Sequence, residues 1–394
     1  MDKITKLDLF KDFFRSEKAG GFLLIGSTII SLVITNTALG DGYSEFWHTY
    51  LDLSFFNVEL KYSIEHWIND GLMAVFFLLV GLEIERELYV GELSDLRSAL
   101  LPIIAAVGGM AVPALIHFAL NSGTDTAPGF GIPMATDIAF ALGILSLAGN
   151  RIPVTLKIFL TALAIIDDLG AITVIALFYT KGFSITYFTV SIALFAVMFI
   201  MGKMKVYSLP LYIIGGIIMW YCMLKSGVHA TIAGVLLAFA IPFHKEDDKN
   251  PSYKLQHALH NPVAFIILPL FAFANTAIDV PKDVFGNLTN NNALGIIIGL
   301  LAGKLIGILL GCFIAVRTNL SALPAYVTWR QIFGASLLAG IGFTMSIFIT
   351  NLAFSDPAVI ISSKMAILFA SVIGAVGGLL VLRNSSTLQT EQIV

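Results

Sequence analysis

Along this chain the apolar residues fall into long unbroken runs separated by short polar intervals, and most runs are about twenty residues long. Helices of that length cross a hydrocarbon core about 30 Å thick, whereas barrel strands read as alternating segments of about ten residues. Apolar windows therefore predict about twelve spans, at 19–40, 64–85, 98–120, 127–148, 153–179, 184–202, 207–224, 227–243, 258–278, 293–316, 328–350 and 358–382. Two segments stand outside them. Tyr50-Leu51-Asp52-Leu53-Ser54-Phe55 and Val58-Glu59-Leu60-Lys61-Tyr62 alternate apolar and polar about Phe56-Asn57, which predicts a short external β-hairpin within the 41–63 segment, its free edge open to a second copy. The longest cytoplasmic loop, 244–257 and on to His260, is hydrophilic and carries His244, His257 and His260. The expected fold is an all-α polytopic membrane protein, with residues 1–394 forming one domain.

Two of the windows are interrupted. The fourth carries Gly131-Ile132-Pro133-Met134-Ala135-Thr136-Asp137-Ile138, and the eleventh carries the alignable Gly340-Ile341-Gly342-Phe343-Thr344-Met345-Ser346-Ile347. Pro133 and the glycines Gly340 and Gly342 loosen the backbone ladder, and freed N–H and C=O groups are tolerated at bilayer depth only where protein or a cavity surrounds them. Gly and Pro in spans also serve plain packing, so the weight lies on the pair of breaks and not on either one. Breaks at equivalent places in spans 3–5 and 10–12 predict an inverted repeat with a site between its halves, because three spans per unit turn the second unit over.

Composition agrees with the hydropathy: 57% of residues are hydrophobic and 12% charged, against about 25% charged in soluble domains. With the amino terminus inside, cytoplasmic segments hold most of the Lys and Arg, and Lys61, Lys181, Lys225, Lys282 and Lys364 fall on the other side. That bias predicts both termini in the cytoplasm. A net charge of −3 argues against nucleic-acid binding. Cys222 and Cys312 lie inside apolar runs and read as small core residues, not as a disulfide or metal pair. Residues Lys3 to Lys18 are mixed polar and lead into a spanning run, so no cleaved leader is expected.

Charge inside the spans is sparse: Asp137, Asp167, Asp168 and Lys304, with Asp70 nearer an outer end. A carboxylate at bilayer depth costs a few kcal/mol, about 2.5–3.5 on insertion scales, so adjacent Asp167 and Asp168 point to work on a cation or proton. Neighbours on a helix point about 100° apart, so the two cannot face one partner and should divide labour. Whichever pairs with Lys304 is expected to stay ionised while the other exchanges a proton. Na+ is a hard cation, and Asp168 with Thr136, Asp137 and unwound carbonyls offers it oxygen ligands. Asp70 reads equally as an interfacial anchor, Lys304 equally as a structural counter-ion, and the histidine loop also as a solvated loop.

Ala164-Ile165-Ile166-Asp167-Asp168-Leu169-Gly170-Ala171, Ala135-Thr136-Asp137-Ile138-Ala139-Phe140-Ala141-Leu142-Gly143, Leu224-Lys225-Ser226-Gly227-Val228-His229-Ala230-Thr231 and Gly340-Ile341-Gly342-Phe343-Thr344-Met345-Ser346 resemble the NhaA family of bacterial sodium/proton antiporters over nearly the whole chain. That family is itself a recognised instance of inverted repeats with broken helices. The resemblance implies an electrogenic antiporter of the bacterial inner membrane that exports Na+ or Li+ against entering protons, by alternating access, in salt tolerance and pH homeostasis. It implies no cofactor; the partners are its ions, the bilayer and a second copy through the 50–62 hairpin. Asp168 would be the principal carrier, binding Na+ with Asp167, which pairs with Lys304; Thr136 and Asp137 would sit where spans 4 and 11 cross. Control by pH is implied for Glu83, Arg86, Glu87, His257 and His260. Gln256 departs from the pattern, standing where relatives can carry Glu.

Other classes fit less well. An intramembrane aspartyl protease needs aspartates on different helices in a Gly-x-Gly-Asp context, which Ile166-Asp167-Asp168-Leu169 lacks. A sodium-coupled solute symporter would share the crossed-helix plan but depend on an organic solute. A channel needs weak, rapidly released sites and a filter sequence, and none is visible.

Overall fold

The computed structural model describes residues 6–54, 58–149, 152–180, 182–243, 250–281 and 283–385. The hairpin centre Phe56-Asn57, His244, and Lys3, Lys181 and Lys282 lie outside them. Among the described residues nine helices are long and apolar enough to cross a membrane, or up to eleven when each of two bent pairs is one span. The shortfall from twelve windows lies at 227–243. There Gly227 turns the chain in the left-handed region (φ 81°), and only Ile232–Ala240 is helical. Nine residues at 1.5 Å each make about 14 Å, half a hydrocarbon core.

Window boundaries also hide turns. The first window ends in a turn: its helix stops at Thr35, the chain bends by 116°, and Gly40–His48 starts at the window's last residue. A Cβ on Gly40 would stand 2.0 Å from the Thr35 carbonyl oxygen, so the bend needs glycine. Lys364, assigned to an outer segment by charge bias, lies buried within Pro357–Asn384, about two turns in from its Asp356 cap. The hairpin is shorter than its alternation suggests: β1 (Tyr50–Asp52) pairs antiparallel with β2 (Lys61–Ser63), Leu51 opposite Tyr62, with β1 exposed.

Packing divides the chain into two compact units. The first comprises Met1–Ile25, Glu92–Ala171 and Pro281–Val394. Its centre is the contact between Leu96–Asn121 and Asn291–Arg317, whose backbones nearly touch: a Cβ on Gly108 would lie 2.2 Å from the Gly307 oxygen, and one on Gly307 2.1 Å from the Gly108 oxygen. Small residues allow this approach, which maximises dispersion where lipid offers no hydrophobic drive. Asn291–Arg317 also widens into a π-turn at Gly299–Gly303, where Gly303 packs on Pro113 and Gly299 on Pro133. The residue that follows is Lys304.

The second unit comprises Gly26–Gly91 and Ile172–Val280. Ile64–Tyr89 packs on Ile232–Ala240 through Gly81 against Ala238 and Gly234 against the Ala74 carbonyl, and on the other side meets Pro251–Asn275.

Candidate functional site

The fourth window folds as a 3-10 turn over Ala127–Met134, an extended stretch at Ala135–Asp137, and a helix over Ile138–Leu147. Pro133 ends the first part, and Asp137 caps the second: its Oδ1 accepts from the Phe140 N–H at 2.9 Å. The eleventh window forms Trp329–Ala339, capped by a Thr328/Gln331 box, then Phe343–Ala353, bent by 42°. Gly340 lies so close to the Leu300 carbonyl that a Cβ would stand 2.4 Å from its oxygen, and a Cβ on Gly342 would stand 2.1 Å from Ser346 Oγ.

The two breaks satisfy each other. The Asp137 N–H donates to the Ile341 carbonyl at 2.7 Å, and Ser346 Oγ donates to the Ile132 carbonyl at 2.7 Å. Asp137 Oδ2 accepts from the Thr344 N–H at 3.0 Å and its hydroxyl at 2.5 Å. One carboxylate thus sits at the N-termini of two helices, where both dipoles favour negative charge. Three protein donors on its two oxygens hold Asp137 at the crossing of the two breaks.

Beside it stands the charged cluster. Lys304 Nζ donates to Asp167 Oδ2 and, at 2.8 Å, to Thr136 Oγ1. Lys304 and Asp167 are 0% exposed and Asp168 is 1% exposed. Thr136 Oγ1 has one proton and two acceptors in reach, Asp167 Oδ2 at 2.7 Å and the Ala339 carbonyl at 2.8 Å. Asp168 lies within electrostatic reach of Lys304. Asp167 Oδ1 is buried and accepts no hydrogen bond among the described residues. With both carboxylates ionised and the ammonium protonated, the cluster would carry a single negative charge, which one proton or one monovalent cation would neutralise.

In the second unit the pH-associated residues gather from distant positions. Glu83 is buried against the Gln256 side chain, Arg86 Nη2 meets Glu87 Oε1 at 3.0 Å, and half-buried His260 faces Arg86 and His257, which is exposed. Sequence reasoning missed Glu85, whose carboxylate accepts from Ser252 Oγ at 2.9 Å on the same helix pair. It also missed Thr344 and the carbonyls of Ala339 and Ile341; the Gly340-Ile341-Gly342 break was the one signal near them.

Membrane-length helices, two mutually satisfied breaks and a buried cation–carboxylate cluster define a secondary transporter. The family model for Na+/H+ antiporter 1 matches residues 11–382, and the chain belongs to that family. It is 58% identical to the Na+/H+ antiporter NhaA of Dechloromonas aromatica over 96% of each chain. It is 55% identical to NhaA 1 of Flavobacterium johnsoniae over 97% of each, and 47% identical to NhaA of Vibrio cholerae over 97% of this chain and 99% of that one.

Replacing Asp167 with Asn should strand the Lys304 ammonium and lower stability by about 3–5 kcal/mol, whereas Asp167→Asn with Lys304→Gln should recover most of it. Thermal melts in mild detergent decide: equal melting temperatures for the parent and Asp167→Asn would show that the pair carries no stability.

Proposed function

We propose that this protein exports Na+ or Li+ in exchange for protons, electrogenically and by alternating access, at the cluster of Asp168, Asp167, Thr136 and Lys304. The observation that carries the reading is a buried cluster one charge short of neutral, set against a break whose Ala339 carbonyl reaches the Thr136 hydroxyl. A proton and Na+ compete for that one negative charge, and each empties the site for the other. Asp168 is the principal carrier, and Asp167, with its unbonded Oδ1, completes the cation's ligands. Lys304 balances Asp167, and Thr136 shifts its single proton between Asp167 and the Ala339 carbonyl as the cation arrives. Asp137 holds the crossing of the two broken spans. Residues 1–394 act as one transporter domain in the inner membrane, termini inside, with spans 3–5 and 10–12 as its inverted repeat. No resident cofactor is needed, since the ions are substrate.

Reconstituted into liposomes, the protein should release internal protons when a Na+ gradient is imposed, faster with a favourable membrane potential and without any organic solute. Asp168→Asn keeps the shape but can neither carry a proton nor balance Na+, so exchange should fall to the level of empty liposomes while the melting temperature is kept. Retained exchange in that variant would remove Asp168 from the mechanism.

Glu83, Arg86, Glu87, His257 and His260 set the pH at which exchange switches on, through the contact of Ile64–Tyr89 with Pro251–Asn275. Replacing His257 and His260 together with Gln should move the midpoint of activity against pH and spare the maximal rate, because remote titrating groups bias an equilibrium without handling the ion. An unshifted curve would return the loop to a solvated surface.

The exposed edge of β1 supports a homodimer in which two hairpins pair edge to edge. Deleting residues 50–62 should give monomers by light scattering in detergent while transport persists; a dimer surviving the deletion would put the contact elsewhere.

A further inference from the structure

His117 is unused by any of this chemistry and is among the most enclosed titratable groups in the chain, with 0% exposure. It sits four residues before the end of Leu96–Asn121, wedged against Asn291–Arg317 so closely that a Cβ on Gly295 would lie 2.8 Å from its Cδ2. On a third side is Gly129, where a Cβ would meet Cε1 at 3.0 Å.

The hydrogen bonds around it determine its protonation. Ser363 Oγ spends its proton on the Val359 carbonyl at 2.7 Å, so its oxygen can only accept from Asn292 Nδ2, also at 2.7 Å. That orients the Asn292 amide with Oδ1 toward the ring, and Oδ1, lacking a proton, must accept from His117 Nε2 at 3.1 Å. These bonds place a proton on Nε2, and with no acceptor at Nδ1 the packing suits the neutral Nε2–H tautomer. Its Nδ1 is a bare lone pair, buried and without a partner among the described residues.

We propose that His117 is a proton-binding site separate from the carboxylate cluster, coupled to the contact of Leu96–Asn121 with Asn291–Arg317: neutral, the contact is closed; protonated, it opens. A proton on Nδ1 would place a charged donor where the packing supplies no acceptor, so proton binding and close packing exclude each other. The groups facing the ring from the packed elements are Asn292, Gly295, Gly129 and Asn121, all uncharged; Lys364 follows Ser363 on its helix, and Asp125 lies exposed in the following loop. None of the described carboxylates stands there to compensate the imidazolium. Acid thus favours the open form. Under the antiport reading, on which the functional meaning rests, this end of the helix faces the side from which protons enter.

Hydrogen exchange of the whole protein in detergent, corrected for the intrinsic pH dependence of amide exchange, tests the coupling. If the open form binds one proton and the closed form none, opening should rise about tenfold per pH unit below the ordinary imidazole range near 6.5. Protection of 114–121 and 291–296 should fall accordingly between pH 6.5 and 5.5. In His117→Gln, which retains an amide donor but cannot titrate, protection should stay flat, and likewise in His117→Asn should Gln distort the packing. A flat parent, or variants that follow the parent, would overturn the proposal. Na+-driven proton release by the same parent in liposomes is read in parallel, so failure of the latch and failure of the antiport reading are separate results.

Discussion

A broken helix inside a bilayer leaves backbone groups that lipid cannot satisfy, and the first unit is organised around that constraint. Each break answers the other. The Ile341 and Ile132 carbonyls, freed where helices stop, are taken up by Asp137 N–H and Ser346 Oγ from the opposite break. Asp137 then gathers the starts of Ile138–Leu147 and Phe343–Ala353 on one carboxylate. Neither interruption would be tolerable alone, so the two are one structural device. With Asp137 committed to that device, the proposed transport chemistry rests mainly on the neighbouring pair.

On the proposed reading that pair works because its charges do not cancel. Buried ions are costly even when matched, and a matched Lys–Asp pair alone would be an inert cross-link. Asp168, adjacent to Asp167 and about 100° round the helix, breaks the match. The cluster is thereby poised between two ways of reaching neutrality, a proton or a small cation. Lys304 is delivered to it by a π-turn and by glycines that bring Leu96–Asn121 within backbone contact, so the position of the charge depends on residues with no charge of their own.

The apolar windows were legible because twenty-residue hydrophobic runs have few alternatives, and the breaks because Pro133, Gly340 and Gly342 interrupt them. Hydropathy is blind to direction, however. It read a full window at 227–243, where Gly227 and a nine-residue helix intervene, and it passed over the 116° bend before Gly40. Charge bias counts Lys364 with the outer set because a lysine early in a helix weighs like one in a loop. The side-chain members of the site were legible as rare intramembrane charges, and their family resemblance added roles. Its backbone members, the carbonyls of Ala339 and Ile341, carry no sequence signal. His117 was silent for a related reason: one histidine in an apolar helix means little until Asn292 and Ser363, 175 and more residues away, are seen to assign its tautomer.

The hydrogen bonds that join Lys304, Asp167 and Thr136 are made within the first unit, and Glu83, Arg86, Gln256 and His260 meet one another within the second. On the proposed reading, the second-unit residues act through their own helix contact. What they can change is the stability of that contact, and with it the populations among which the transporter moves. Glu85 fits that role: bonded to Ser252, one turn before Gln256 on the same helix, it supplies a buried carboxylate to the contact where Gln256 supplies a neutral amide. Titratable charge between these two helices is thus kept up although the position at 256 holds none.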